Sequence, residues 1–311
     1  MSNLLDLVPA LAAPSDTFFT RSPDWSWPIA LYFFVGGLAG GAAFIGAFLD
    51  LFGEPADKPA ARIGHLLAAP LIAIGGIILI VDLKRPERFW HMILESETYR
   101  PMFKWYSAMS FGVWVVGAFS LVSGLVFLGV LADHPRFPDG LRSLRALHEG
   151  ALGRVLTALS GLLGLFTAGY TGVLISDTNR PLWGDTTLLG ILFLVSGVSA
   201  AAALITLLAW RRAHPGTLRW LGFMDSYGSI LELAVLVVML IALGSVATEA
   251  LDNVWGIVLI VGTVIAGILL PLALHWRPRV LGSLTIPSAA LLVLAGSLCL
   301  RLAIVMASER V

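Results

Sequence analysis

Charge is scarce in this chain. Of 311 residues only 13% are charged, 20 basic against 20 acidic, where a soluble domain carries about 25%. A balance of zero with dispersed basic residues gives no electrostatic footprint for nucleic acid, so no nucleic-acid partner is expected. Cysteine occurs once, at Cys299. That excludes a disulfide framework, a cysteine-ligated zinc site and an iron–sulfur cluster held by this chain alone. The start of the chain lacks the basic segment of a signal peptide, and Asp6 and Pro9 interrupt its short apolar run. An uncleaved chain is expected. What remains is apolar: 58% hydrophobic residues and a mean hydropathy of +0.88. So large a share cannot be hidden in one globular core, and the surface must face lipid.

Eight apolar stretches approach the roughly 20 residues that a helix needs to cross ~30 Å of hydrocarbon. They fall at about 28–52, 64–82, 103–132, 152–175, 187–210, 228–246, 254–276 and 287–306. Many are rich in Gly and Ala, which lets helix backbones approach closely where lipid supplies no hydrophobic drive. Pro70 and Pro271 fall inside spans and are expected to kink them or free a carbonyl. Trp25 and Trp27 mark a water–lipid boundary ahead of the first span. Residues 33–43 match residues 193–203, which suggests a parallel repeat. The expected fold is an all-α membrane protein of eight transmembrane helices in two four-helix bundles. These are 27–175 and 187–306, flanked by an extramembrane segment 1–26, an outer loop 176–186 and a tail 307–311.

Counting Lys and Arg in alternate connections places eleven on one side and eight on the side of both termini, with Arg301 inside a span. Five of the eight lie in the 2–3 connection. Outside it the positive-inside rule puts both termini outside the cytoplasm. The 2–3 connection breaks that rule, which makes it the first place to look for function.

Its densest stretch runs from Asp82 through Lys84, Arg85, Glu87 and Arg88 to Trp90 and His91. A self-neutralising knot of ion pairs is one reading. A site that exchanges protons beside positive potential is the other, with Asp82 as acceptor. On the same side Tyr170 lies between Gly169 and Gly172, a phenol that can hydrogen-bond a carbonyl while its ring packs in lipid. Asp177 and Arg180 follow it. Glu232, about one turn into the sixth span, and Arg301 in the eighth are costly at membrane depth. Asp50, His65 and Glu232 could serve a proton route, with Arg301 beside it. The histidines sit at helix ends or in loops, so no haem is expected, nor any other metal site. Any redox carrier must then be a diffusible lipid-phase molecule.

The segment from Asp82 to Trp90 resembles the Asp-Leu-Gly-Arg-Pro-x-Arg-Phe stretch of the NrfD/PsrC family, membrane subunits of polysulfide-reductase-like complexes. Lys84 stands where that family commonly has glycine. Gly169 to Gly172, Pro181 to Trp183 and Leu192 to Gly197 are similar to its fourth and fifth spans, so the resemblance covers nearly the whole chain. It implies a cofactor-free subunit that binds menaquinone or ubiquinone near the outer face. An iron–sulfur (ferredoxin-like) subunit would dock beside it, commonly with a molybdopterin catalytic subunit. Asp82 and Tyr170 are then the expected headgroup and catalytic residues, with Trp27, Tyr32 and Arg85 as further quinone contacts. Lys84, Glu87, Arg88, Trp90, His91, Asp177 and Arg180 are the expected docking residues. The expected location is a bacterial or archaeal cytoplasmic membrane. A proton-translocating subunit is the alternative, and a stand-alone secondary transporter a more distant one.

Overall fold

The computed structural model describes residues 25–135, 138–276 and 282–308. Most of segment 1–26 and of tail 307–311 lies outside the described residues, as do the counted Arg21, Arg136, Arg277, Arg279 and Arg310. Eight helices are long and apolar enough to cross a membrane. They are α1 (Trp27–Phe52), α2 (Lys58–Asp82), α3 (Ala108–Ala132), α4 (Gly150–Ser176), α5 (Leu189–Ala209), α6 (Pro215–Leu243), α7 (Val254–Trp276) and α8 (Thr285–Ala307). The near face carries the start of α1 and the 2–3 and 4–5 connections. The far face carries the 1–2, 3–4 and 5–6 connections.

α1 is the most buried of the eight. It packs on α2, α4 and α5 and also touches α8. Glycine makes this possible: a Cβ on Gly40 would overlap the Gly164 carbonyl oxygen of α4. Dispersion between such close backbones holds helices together in lipid. α5 packs on α6 and α8 as well as on α1 and α4, so a broad seam joins the first four helices to the last four.

Residues 160 apart in sequence meet across that seam. The rings of Phe33 and Phe193 stand 5.9 Å apart. A Cβ on Gly37 would meet the Gly197 Cα at 3.5 Å, and one on Gly41 the Ala201 Cβ at 2.7 Å. Contacts that rise in step along both helices make α1 and α5 parallel.

Three element readings need correction. The second helix starts at Lys58 rather than near 64, because Pro59 is accommodated in its first turn. The sixth helix does not start near 228 but at Pro215, a proline at its first turn where no N–H is needed. The His214 imidazole caps it, accepting the Gly216 N–H at 3.2 Å. It ends at Gly244, whose φ of +54° suits glycine. Glu232 therefore lies past the middle of a 29-residue helix, not one turn from its end. The third helix begins at Ala108 rather than near 103, because the Ser107 hydroxyl caps it by accepting the Ser110 N–H. In α7, residues Val258–Leu269 adopt a wider π-helical turn just before Pro271, which has no N–H to give the helical ladder.

Candidate functional site

The near face gathers most of the residues singled out in the sequence. Asp82 is the last residue of α2 and is half-buried. Lys84 follows at φ +57°, a left-handed conformation that favours glycine. The chain then turns into a short 3-10 helix, Pro86–Met92, whose Arg85, Glu87 and Arg88 neighbourhood is exposed. A small loop closes it: the Glu95 N–H donates to Arg100 O at 2.9 Å and the Met102 N–H to Ile93 O at 2.8 Å. Trp90 stacks on Tyr99 at 5.7 Å, and His91 Nδ1 lies 2.9 Å from the Ser96 hydroxyl. Phe89, Tyr99, Phe103, Trp105 and Tyr106 present large apolar rings at its surface. Charged and aromatic side chains are thus interleaved on one protruding connection.

Behind it, Tyr170 of α4 is 6% exposed. Its hydroxyl donates to the Ala108 carbonyl of α3 at 2.9 Å, and its ring stacks on Phe166. The fit depends on Gly112, where a Cβ would overlap the Tyr170 Oη. Tyr32 and Asp177 lie within electrostatic reach of this phenol. The Tyr32 ring is buried between Gly36 of its own helix and Gly75 of α2. Trp27, by contrast, is 61% exposed at the start of α1. Arg180 does not project outward as expected for docking. Its Nη1 donates to Ser308 O at 3.3 Å and its guanidinium lies over Trp183, whose indole N–H donates to Ile304 O. The 4–5 connection is thereby pinned to the end of α8.

Arg301 is fully buried in α8 and bridges three helices. Its Nε donates to Phe33 O at 3.2 Å, Nη2 to Phe193 O at 3.1 Å, and Nη1 to the Ser196 and Ser297 hydroxyls. Glu232 lies within electrostatic reach of Ser196 and Arg301. Two turns away along the same face of α6, the Ser199 hydroxyl donates to buried Asp225 at 2.7 Å, with Ser229 beside it. His275 Nε2 stands 3.9 Å from Asp225. Sequence reading missed Asp225 because it placed this stretch in a loop. The spacing 225, 229 and 232, one face of a helix, was the available signal.

At the far face Asp50, His65 and His148 converge. Asp50 Oδ2 lies 3.6 Å from His65 Nε2 and 3.4 Å from His148 Nε2. Burial, with His65 beside it, holds the His148 imidazole below the ordinary histidine range. Asp50 and His65 therefore do meet, but they are grouped with His148, whereas Glu232 and Arg301 are grouped with α5.

Eight apolar helices, an almost fully buried central span and ionisable groups locked at membrane depth define a polytopic α-helical integral membrane protein. Within that class the chain belongs to the NrfD family, described as polysulphide reductase, NrfD, whose match runs over residues 17–311. It is 30% identical over 200 residues to the C subunit of the polysulfide reductase of Wolinella succinogenes, covering 62% of this chain and 61% of that protein. It is 28% identical over 216 residues to the protein NrfD of Escherichia coli, covering 65% of each. A protein NrfD homolog of Haemophilus influenzae is 28% identical over 279 residues, 82% of this chain and 84% of that one. The chain thus aligns with somewhat under two thirds of the first two relatives.

Proposed function

We propose that this chain is the quinone- or quinol-binding membrane subunit of a respiratory oxidoreductase complex, exchanging electrons between the membrane quinone pool and an iron–sulfur partner subunit. A molybdopterin or other redox catalytic subunit would complete the complex. The observation that carries the reading is the near face itself. One end of the bundle combines a half-buried carboxylate, a buried phenol and a protruding connection of charge and aromatic surface. Family membership and the likeness to a polysulfide reductase subunit support it.

The residues suit a flat aromatic headgroup. Phe111 and Phe166, partly exposed beside Tyr170, offer an aromatic wall open towards lipid. Asp82 at the end of α2 offers a carboxylate near water, able to take up or return a proton as a general base. The Tyr170 hydroxyl already donates to Ala108 O, so its lone pairs face the ligand first, as acceptors from a quinol hydroxyl. Bound quinol supplies two electrons and two protons on oxidation. Arg85 shapes the mouth, while Lys84, Glu87, Arg88, Trp90 and His91 meet the partner, their positive charges steering an acidic surface to this end. Trp27, Tyr32 and Asp177 complete the surroundings.

The test is Asp82→Asn and Tyr170→Phe in the assembled complex. The expected outcome is quinone-linked turnover lowered about a hundredfold in Asp82→Asn, the low end of a general base's contribution, with turnover on an artificial electron donor kept. Unchanged quinone-linked turnover in both variants overturns the assignment.

A second reading, coupled proton translocation, is favoured by the buried ladder in the last four helices. Asp225, Ser199, Ser229, Glu232 and Ser196 lead towards Arg301 without leaving the protein interior. Glu232→Gln should then abolish the membrane potential formed during turnover in vesicles while sparing electron transfer. A potential unchanged in Glu232→Gln discards this reading.

A further inference from the structure

The cluster on the far face is not used by either reading above, and its geometry points to a different chemistry. We propose that Asp50, His65 and His148 bind a divalent transition-metal ion of the zinc type, which ties together the far-face ends of α1, α2 and α4.

Three separate stretches of chain supply the ligands. Asp50 stands in the last turn of α1, His65 in the second turn of α2, and His148 just ahead of α4. Their donor atoms all lie within 4.8 Å of one another. Asp50 Oδ2 is 3.6 Å from His65 Nε2 and 3.4 Å from His148 Nε2. A zinc ion about 2.0–2.2 Å from each nitrogen and oxygen holds tetrahedral ligands roughly 3.4 Å apart. The observed spacing is that of ligands around an ion. It is wider than the 2.7–3.2 Å of well-formed hydrogen bonds.

The imidazoles are independent evidence. His65 is 1% exposed, and neither of its ring nitrogens has a hydrogen-bond partner. Buried polar atoms are nearly always satisfied, and leaving one unmet costs about 1–3 kcal/mol. A cation between the two rings and the carboxylate takes up the unpartnered Nε2 lone pair of His65 and neutralises Asp50 at once. The rings meet edge to face with centroids 5.3 Å apart, and both Nε2 atoms lie within 3.6 Å of Asp50 Oδ2.

Access is also present. A cavity of about 330 Å³ opens beside the cluster, lined further by Lys58, Arg62, Asp133 and Glu149. Arg62 is held by Asp133 at 2.7 Å, which removes one positive charge from the approach. Glu149, exposed at the start of α4, lines the same cavity. Two imidazoles and one carboxylate are borderline ligands of the kind zinc prefers, and with the fourth place open to solvent the site has the ligand count of a partly open zinc centre.

The experiment uses the full-length chain purified in detergent without chelators. Elemental analysis after zinc loading and desalting should find stoichiometric zinc, and titration with Co²⁺ should give the intense visible absorption of a tetrahedral site. His148→Ala, in a residue about a fifth exposed, should lose both signals, and so should Asp50→Asn. His275→Ala, away from the cluster, should keep them. Zinc should raise the melting temperature of the parent chain and not of His148→Ala. A folded parent chain that retains no zinc and gives no cobalt band, or binding unchanged in a folded His148→Ala variant, overturns the proposal. Because quinone-linked turnover is not a readout here, the outcome is independent of the function proposed above.

Discussion

Lys84 carries a cost that its neighbours do not. It closes α2 with a left-handed backbone, φ +57°. A side chain in that conformation is disfavoured by roughly 1–2 kcal/mol, and glycine is not. Lys84→Gly should therefore raise the melting temperature of the purified chain while weakening its association with an acidic partner, measured by co-purification. Gly112 imposes the opposite constraint. Adding a methyl group there puts a carbon into the space of the Tyr170 Oη, so Gly112→Ala should displace the phenol and break its bond to Ala108. Quinone-linked turnover should fall further in Gly112→Ala than in Tyr170→Phe, which loses one hydrogen bond worth about 0.5–1.5 kcal/mol. Arg301 is the most heavily engaged side chain of all. Arg301→Ala strands the Phe33 and Phe193 carbonyls and leaves Glu232 without its cation, and should destabilise the chain by about 3–5 kcal/mol in a reversible denaturation assay.

Helix edges decided how much could be read in advance. The long apolar runs announce themselves because lipid demands about 20 such residues in a row, and α1, α4 and α5 lie close to where hydropathy puts them. α6 was misread at its start because Arg219 and Asp225 lower the local hydropathy, although Pro215 and His214 mark the true first turn. That slip hid Asp225 and moved Glu232 from mid-depth to an edge. Tyr170 and Asp82 were visible as polar residues out of place in apolar helices. The convergence of His148 on Asp50 and His65 was not, since it depends on how three helix ends pack and not on any spacing along the chain. The pairing of α7 with α8 offers a direct check at this scale. A Cβ at Gly262 would stand 3.0 Å from the Cβ and 2.9 Å from the Sγ of Cys299, somewhat under the usual Cβ separation of a disulfide, about 3.5–4.5 Å. Because Cys299 is the chain's one cysteine, Gly262→Cys should form a single internal disulfide under mild oxidant, detected as loss of both thiols to a maleimide label. Persistent labelling of both thiols would mean that the two helices do not meet there.

For the molecule as a whole, eight candidate spans among the described residues bring the end of α8 to the face where α1 starts. Positive residues crowd the far-face connections, so reporter fusions at the C-terminus should be active outside the cytoplasm and fusions in the 5–6 connection inside it. The reverse pattern would place the Asp82 and Tyr170 end in the cytoplasm and require the proposed iron–sulfur partner there. The parallel pairing of α1 with α5 has one more consequence. Phe33 and Phe193 face each other across that pair, and both hand their carbonyl oxygens to the same guanidinium. One side chain of α8 therefore clasps both helices at a single level, and any sliding of α1 past α5 would have to break its grip first.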